Sequence, residues 1–116
     1  MSYGYVFEKL YSALEYAVGT SDSPQERLAR AYSSGVYLLQ HETVADEKLR
    51  QRLRKLDKAL TTKHDAVNGS FYASASAMSD EEAAKWLKEM LSILVEVAEL
   101  DRSEGNRVGR HIGPAG

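Results

Sequence analysis

Four segments of the chain place apolar residues at steps of three and four, the period of an amphipathic α-helix. Two of them open with a capping box, in which a serine is followed three residues later by a glutamate: Ser23 with Glu26, and Ser79 with Glu82. Pro24 stands at a first helical position, where its missing N–H would have no helical partner. The pattern predicts an all-α protein, an antiparallel bundle of about four helices joined by short links.

The predicted helices cover most of the chain before residue 102. They span residues 4–18, 24 to about 40, about 43 to 64, and 80 to about 101. The break between the second and third helices lacks Gly or Pro, so they are either two helices or one bent helix. Gly35, inside the predicted second helix, indicates either the close approach of a neighbouring helix or a tolerated defect. Residues 65–78, with serine and alanine in alternation, are predicted to form an extended loop or a short irregular helix.

Length and composition set the broad class of the protein. A chain of 116 residues suits one compact domain, and we assign residues 1–103 to the helical bundle and the glycine-rich residues 104–116 to a flexible tail. The formal net charge of −2 gives no overall attraction to nucleic acid or anionic membranes. The chain has no cysteine, which excludes disulfides and thiolate-based sites. Without a secretory signal or a membrane-spanning apolar run, a cytoplasmic protein is expected.

The predicted helix over residues 48–63 is strongly basic, and its like charges four residues apart repel one another. The predominantly acidic segment 79–104 could neutralise this helix within the chain, and an acidic protein partner could do the same from outside. The third possibility is nucleic acid, because a row of basic side chains along a helix can follow a phosphate backbone. The candidate nucleic-acid-binding residues are Arg50, Arg54, Lys58, Lys48, Arg52, Lys55 and Lys63, together with Arg107 and Arg110 in the tail.

The last predicted helix has an apolar arc of roughly 220°, wider than the stripe that one bundle contact usually needs. Trp86, Ile93 and Leu100 recur every seven residues along one edge of this arc, as in a seam between helices. We therefore predict that Trp86, Ile93, Val97 and Leu100 are covered in part by a second chain; the alternative is complete burial within one chain. Tyr5, Tyr16 and Tyr37, which face away from their apolar seams, are further interface candidates.

The sequence contains no recognisable catalytic, metal-binding or cofactor motif. Its histidines stand near predicted helix ends or in the tail, where the helix dipole and free carbonyl groups explain them. We expect neither catalysis nor a cofactor, metal or small-molecule substrate. The favoured function is a non-enzymatic protein–protein interaction module, as a homodimer, a small subunit of a larger complex or a small protein inhibitor. The alternative is a nucleic-acid-binding helical protein.

Overall fold

The computed structural model describes residues 2–67 and 69–112, and for residues 105–112 it describes the backbone only. The described residues form five α-helices in chain order: α1 Tyr3–Val18, α2 Pro24–Ser33, α3 Glu47–Ala59, α4 Gly69–Ser76 and α5 Asp80–Ile112. Two short 3₁₀ turns, Val36–Leu38 and His41–Thr43, lie between α2 and α3. The all-α prediction is confirmed, with five helices in place of about four.

Side-chain caps fix where four of the five helices begin. The capping residues are Ser2, Ser23, Asp46 and Ser79, which start α1, α2, α3 and α5. Each side-chain oxygen accepts a hydrogen bond from the backbone N–H three residues later, at 2.8 to 3.3 Å. Such a cap satisfies a backbone donor that has no partner inside the helix and stabilises the helix by about 1 kcal/mol. Both predicted capping-box serines therefore mark true helix starts.

Helix α2 ends at Ser33, about seven residues before its predicted end. The cause is Gly35, whose φ of 154° is incompatible with a helix and strained for any residue with a side chain. A Cβ atom at this position would also lie 3.0 Å from Cδ of Lys9 on α1. The second and third predicted helices are therefore separate, and the close approach that the glycine indicated is the approach of the Lys9 side chain.

Four other boundaries differ from prediction; one of them is the end of α3 at Ala59, five residues before the predicted end at residue 64. Helix α3 starts after Asp46, three residues later than the predicted start near Thr43. The segment predicted as a loop or short helix contains α4, which is a regular α-helix. Helix α5 continues to Ile112, beyond the end predicted near Asp101 and into the predicted tail. Residues 113–116 of that tail lie outside the described residues.

Helices α1, α2 and α3 pack against α5, whereas α4 packs against α2. Gly4, at the start of α1, lies beside Asp101, whereas Val18, at the end of α1, lies beside Leu87, so α1 runs antiparallel to α5. Helix α3 also runs antiparallel to α5, because its first turn lies near Glu99 and its C-terminal end lies near Trp86. These two helices leave one side of α5 facing solvent between them.

The core lies on the other side of α5, where all five helices contribute side chains. Its large members that are completely or almost completely buried are Val6, Leu10, Leu28, Val44, Leu49, Leu56, Leu60, Met90, Ile93 and Val97. The leucines of α3 all point inward, which is why the charges of that helix lie on its outer face. Ser74 of α4 is also buried, and its hydroxyl accepts a hydrogen bond from the backbone N–H of Lys63 at 2.9 Å. This bond joins α4 to the chain that follows α3.

Candidate interaction surface

The solvent side of α5 carries a regular row of side chains that no other described helix covers. Its residues follow one another at steps of four, three, four, three and four, the spacing of a coiled-coil contact. We call this row the α5 seam; it consists of Ala84, Lys88, Leu91, Val95, Ala98 and Arg102. At 100° per residue the seam occupies roughly 80° of the helix surface. It is therefore a narrow stripe, of the width that a single partner helix can cover.

Two large apolar side chains lie at the centre of the α5 seam. Leu91 is 53% exposed and Val95 is 54% exposed, although both belong to a helix whose opposite face is fully buried. Ala84 and Ala98 are half-buried, and their small side chains allow another backbone to come close. Leaving Leu91 and Val95 in water forgoes part of the ~1.5 to 3 kcal/mol that burying each such side chain contributes.

Grooves flank the α5 seam on both sides. The groove toward α1 has a volume of about 260 Å³ and is mostly apolar; it is lined by Leu14, Ala17, Val18, Arg27, Leu87, Lys88 and Leu91. Val18 is 81% exposed at its edge and extends the apolar surface beyond α5. The groove toward α3 is lined by Leu91 and Val95 together with charged side chains, among them Lys48 and Glu99. The exposed apolar surface thus has a charged margin on the α3 side.

The predicted interface residues of α5 are divided between the core and its border. Ile93 and Val97 are 0% exposed and pack inside the bundle, so they offer no surface to a second chain. Trp86 and Leu100 are half-buried and pack against the core. The surplus apolar edge of this helix is therefore the one that contains Leu91 and Val95, on the other side of the wide arc.

The three predicted interface tyrosines are partly exposed but do not form one cluster with the α5 seam. The Tyr16 hydroxyl accepts a hydrogen bond from Arg30 at 3.0 Å, which raises the pKa of the Arg30 guanidinium. The Tyr37 ring packs on Phe71, with 5.4 Å between centroids, and Lys9 lies over the Tyr5 ring. Each of these rings has a contact within its own chain and is 40 to 45% exposed.

Arg52 is the basic residue that joins α3 to α5. Its guanidinium donates to both carboxylate oxygens of Glu89, at 2.9 and 3.0 Å, and to Glu96 at 2.5 Å. It also donates to the Ser92 hydroxyl at 2.7 Å. The pKa of Arg52 is raised above its usual range, mainly by the hydrogen bonds to Glu89. Partial burial of the guanidinium opposes this shift, and the hydrogen bond to Glu96 adds to it. The sequence suggested that the basic helix could be neutralised by the acidic segment 79–104. In the structure, one arginine, Arg52, makes this pairing.

The other candidate nucleic-acid-binding residues are dispersed. Arg50 donates to the carbonyl of Val44 at 3.0 Å and so helps to hold the start of α3. The exposed ones are Lys48, Arg54, Lys55, Lys58 and Lys63, and within the described side chains none of them has an ion-pair partner within 4.0 Å. Arg107 and Arg110 lie outside the side chains that the structure describes. The predicted row of Arg50, Arg54 and Lys58 thus has two free members.

A polar pair between α2 and α3 accounts for the acidic residue inside the basic helix. The half-buried Asp57 accepts a hydrogen bond from the hydroxyl of Tyr32, a core residue that is 2% exposed. Burial first, and then the hydrogen bond and charge of Asp57, raise the pKa of Tyr32 well above its usual range. The Tyr32 ring also packs edge-on against Phe71 of α4, with centroids 4.8 Å apart. This pair connects three helices and has a structural role.

Two histidine side chains have polar neighbours that are close to them in the sequence. Nδ1 of His64, in the exposed loop after α3, lies 2.9 Å from the hydroxyl of Ser70 in the first turn of α4. Nδ1 of His41 is buried and lies 3.4 Å from a carboxylate oxygen of Glu42, with which it forms no hydrogen bond. Within residues 2–67 and 69–104, no three acidic or histidine side chains are grouped as a metal site would require.

Among the same residues, no helix combines the length and apolar character needed to cross a membrane.

The described residues form an all-α fold of five helices, in which a long helix exposes an apolar seam between two flanking helices. Comparison with protein-family models, with curated proteins and with solved structures found no match to this chain. Its function is therefore inferred from its own residues.

Proposed function

We propose that this protein is a non-enzymatic helical interaction module that binds another protein chain through the α5 seam. The observation that carries the proposal is the exposure of Leu91 and Val95 at coiled-coil spacing on a helix that is otherwise well packed. The apolar groove toward α1 extends the same surface. Contiguous exposed apolar surface of this kind on a folded protein is typical of a binding site.

The charges around the seam support a specific contact. Neither Lys88 nor Glu99 has an ion-pair partner within 4.0 Å in the described part of the chain, although each borders the exposed apolar residues. Charges at the rim of an interface select the partner and its orientation more than they add affinity. The arrangement of an apolar centre and a charged rim is the usual anatomy of a protein interface.

Capture of proteins from a native lysate of the source cells tests this proposal, with Leu91→Glu and Val95→Glu as the disrupting variants. Leu38→Glu is the matched control, because Leu38 is 52% exposed on a 3₁₀ turn away from the seam. We expect the wild type and the control to retain a protein, before and after nuclease treatment, and the two seam variants to lose it. Equal retention by all four proteins would contradict the proposal, provided that circular dichroism shows all of them folded.

Nucleic-acid binding is the second candidate, and it is favoured by the exposed, unpaired Arg54, Lys55 and Lys58 on the outer face of α3. If it is correct, the captured material is removed by nuclease and by raising the salt from about 50 to 200 mM, because each neutralised phosphate releases counterions. Retention would then depend on Arg54 and Lys58 and would be unchanged in Leu91→Glu.

A further inference from the structure

We infer that the chain covering the α5 seam is a second copy of this protein, with the two α5 helices antiparallel about a two-fold axis near residue 93. The inference rests on the proposed function, since it assumes that the seam is an interface. It adds the identity of the partner and the orientation of the pair. The argument comes from the order of side chains along the seam.

The apolar centre of the seam is complementary to itself in this arrangement. With the axis level with residue 93, Leu91 of one copy stands opposite Val95 of the other, and the same contact occurs twice. Ala98 of each copy stands opposite the stem of Lys88 and next to Leu87 of the other. Small and large side chains therefore alternate across the contact, as close packing between two helices requires.

The charges of the seam are also complementary in the antiparallel arrangement. Lys88 of one copy comes within about one residue rise, ~1.5 Å along the axis, of Glu99 of the other copy and on the same side of the contact. Arg102 of one copy comes within about one turn of Glu81 of the other. The two-fold axis repeats both pairs, so the exposed charges in or beside the seam, Glu81, Lys88, Glu99 and Arg102, each obtain an opposite charge.

A parallel pairing through the same seam is unfavourable. It would place each Lys88 level with the other Lys88 and each Arg102 level with the other Arg102, and like charges facing each other across an interface oppose association. The seam thus selects the antiparallel dimer over the parallel one. It also predicts which charge reversals must compensate each other.

The first test measures the mass of the full-length protein by sedimentation equilibrium. We expect a concentration-dependent shift from the 12.9 kDa chain to twice that mass. Lys88→Glu and Glu99→Lys should each raise the dimer dissociation constant at least about tenfold, because each introduces two like-charge contacts per dimer. The double variant, Lys88→Glu with Glu99→Lys, should restore the dimer. Lys85→Glu, an exposed position on α5 outside the seam, is the matched control and should leave the dimer intact.

The second test determines the orientation. The chain has no cysteine, so the single variant Glu82→Cys accepts one spin label at an exposed position outside the seam. In the antiparallel dimer the two labels are separated along the helix by about 33 Å, from 22 residues at ~1.5 Å each. In a parallel dimer they lie at the same level of the helix, so the separation along the helix vanishes; because position 82 points away from the seam, the labels are then apart by the interaxial distance of about 10 Å plus the two outward-pointing side chains.

Three results would overturn the inference. The first is a wild-type protein that is monomeric at about 200 µM, a concentration at which even a dimer with a micromolar dissociation constant is populated. The others are a double variant that fails to restore the dimer, and two labels that lie at the same level along the helix. A monomeric protein that still captures a different protein through Leu91 and Val95 would overturn self-pairing alone. A monomeric protein that captures nothing would also contradict the proposed function. The two failures are therefore distinguishable.

Discussion

At the scale of single residues, the hydrogen bond between Tyr32 and Asp57 is the polar contact on which the core depends most. Tyr32 is buried among apolar side chains, and Asp57 would lose a partner in a half-buried position if the hydroxyl were removed. A polar group that loses its partner away from water costs more than the net contribution of an ordinary hydrogen bond. The pair therefore accounts for an acidic residue in a helix whose neighbouring charges are basic.

We predict that Tyr32→Phe lowers the free energy of unfolding by about 1 to 3 kcal/mol at pH 7. Tyr11→Phe is the control: Tyr11 is 51% exposed, and its change should stay within about 0.5 kcal/mol. Urea unfolding followed by circular dichroism provides the measurement. Equal effects of the two substitutions would show that the Asp57 contact contributes nothing.

The raised pKa of Tyr32 gives this pair a pH dependence with a definite sign. In the unfolded chain the hydroxyl ionises near its ordinary pKa of 10.0, whereas the folded protein keeps it protonated. Above pH 10 the unfolded state therefore binds fewer protons, and stability falls as the pH rises. Since Tyr32→Phe lacks this group, the stability gap between wild type and variant should narrow between pH 10 and 11. A gap that widens would mean that the pKa shift has the opposite sign.

At the scale of helices, Arg52 is the side chain that fixes α3 against α5. It is the only described residue with two ion-pair partners on another helix, and its side chain is 21% exposed. Charge-assisted hydrogen bonds in a partly shielded position are stronger than those of a fully exposed pair. Of the remaining basic residues of α3, Arg50 bonds to the Val44 carbonyl and the others contribute charge to the surface.

We predict that Arg52→Ala lowers the free energy of unfolding by about 1 to 3 kcal/mol, because it leaves Glu89 and Glu96 without their cation. Arg54→Ala, two positions along the same helix, removes an exposed, unpaired arginine and should change the free energy of unfolding by less than about 0.5 kcal/mol. Thermal unfolding at matched salt compares the two variants. If Arg54→Ala were the more damaging, the assignment of the helix contact to Arg52 would be wrong.

The starts of α2 and α5 could be predicted from the sequence because their causes are local. A capping hydrogen bond joins a side-chain oxygen to a backbone N–H only three residues later, as at Ser23 and Ser79, so its signal lies within a few residues of sequence. The end of α2 was missed because Gly35 is tolerated within a helix but adopts a positive φ here. The sequence does not distinguish α4 from a loop, because its serines and alanines carry almost no apolar periodicity.

The exposed seam could be anticipated only in part, since the sequence revealed an apolar arc too wide for one contact but not which edge of it faces water. That choice depends on where α1 and α3 pack, which is a tertiary property. Here they cover the side that includes Ile93 and Val97 and leave Leu91 and Val95 between them. The seven-residue spacing of Trp86, Ile93 and Leu100 belongs to the inner edge of the arc and describes packing within the chain.

At the scale of the whole molecule, we propose above all that another protein chain covers the α5 seam in solution. The bundle has a complete core without the seam, so neither Leu91 nor Val95 is needed to hold the fold together. We propose that association with another chain is the reason for their exposure. The lack of native cysteine allows this claim to be tested by chemistry at one position at a time.

The most direct measurement is the rate of thiol alkylation in two single-cysteine variants, Leu91→Cys on the seam and Leu38→Cys as the control. The two positions have nearly equal exposure in the isolated chain, 53% and 52%, so the two thiols should react at similar rates in dilute solution. In concentrated protein or in native lysate, we predict that the thiol at position 91 reacts at least about tenfold more slowly than in dilute solution, because burial in an interface excludes the reagent. The reaction rate of the thiol at position 38 should not change. Equal rates at both positions under all of these conditions would contradict the account.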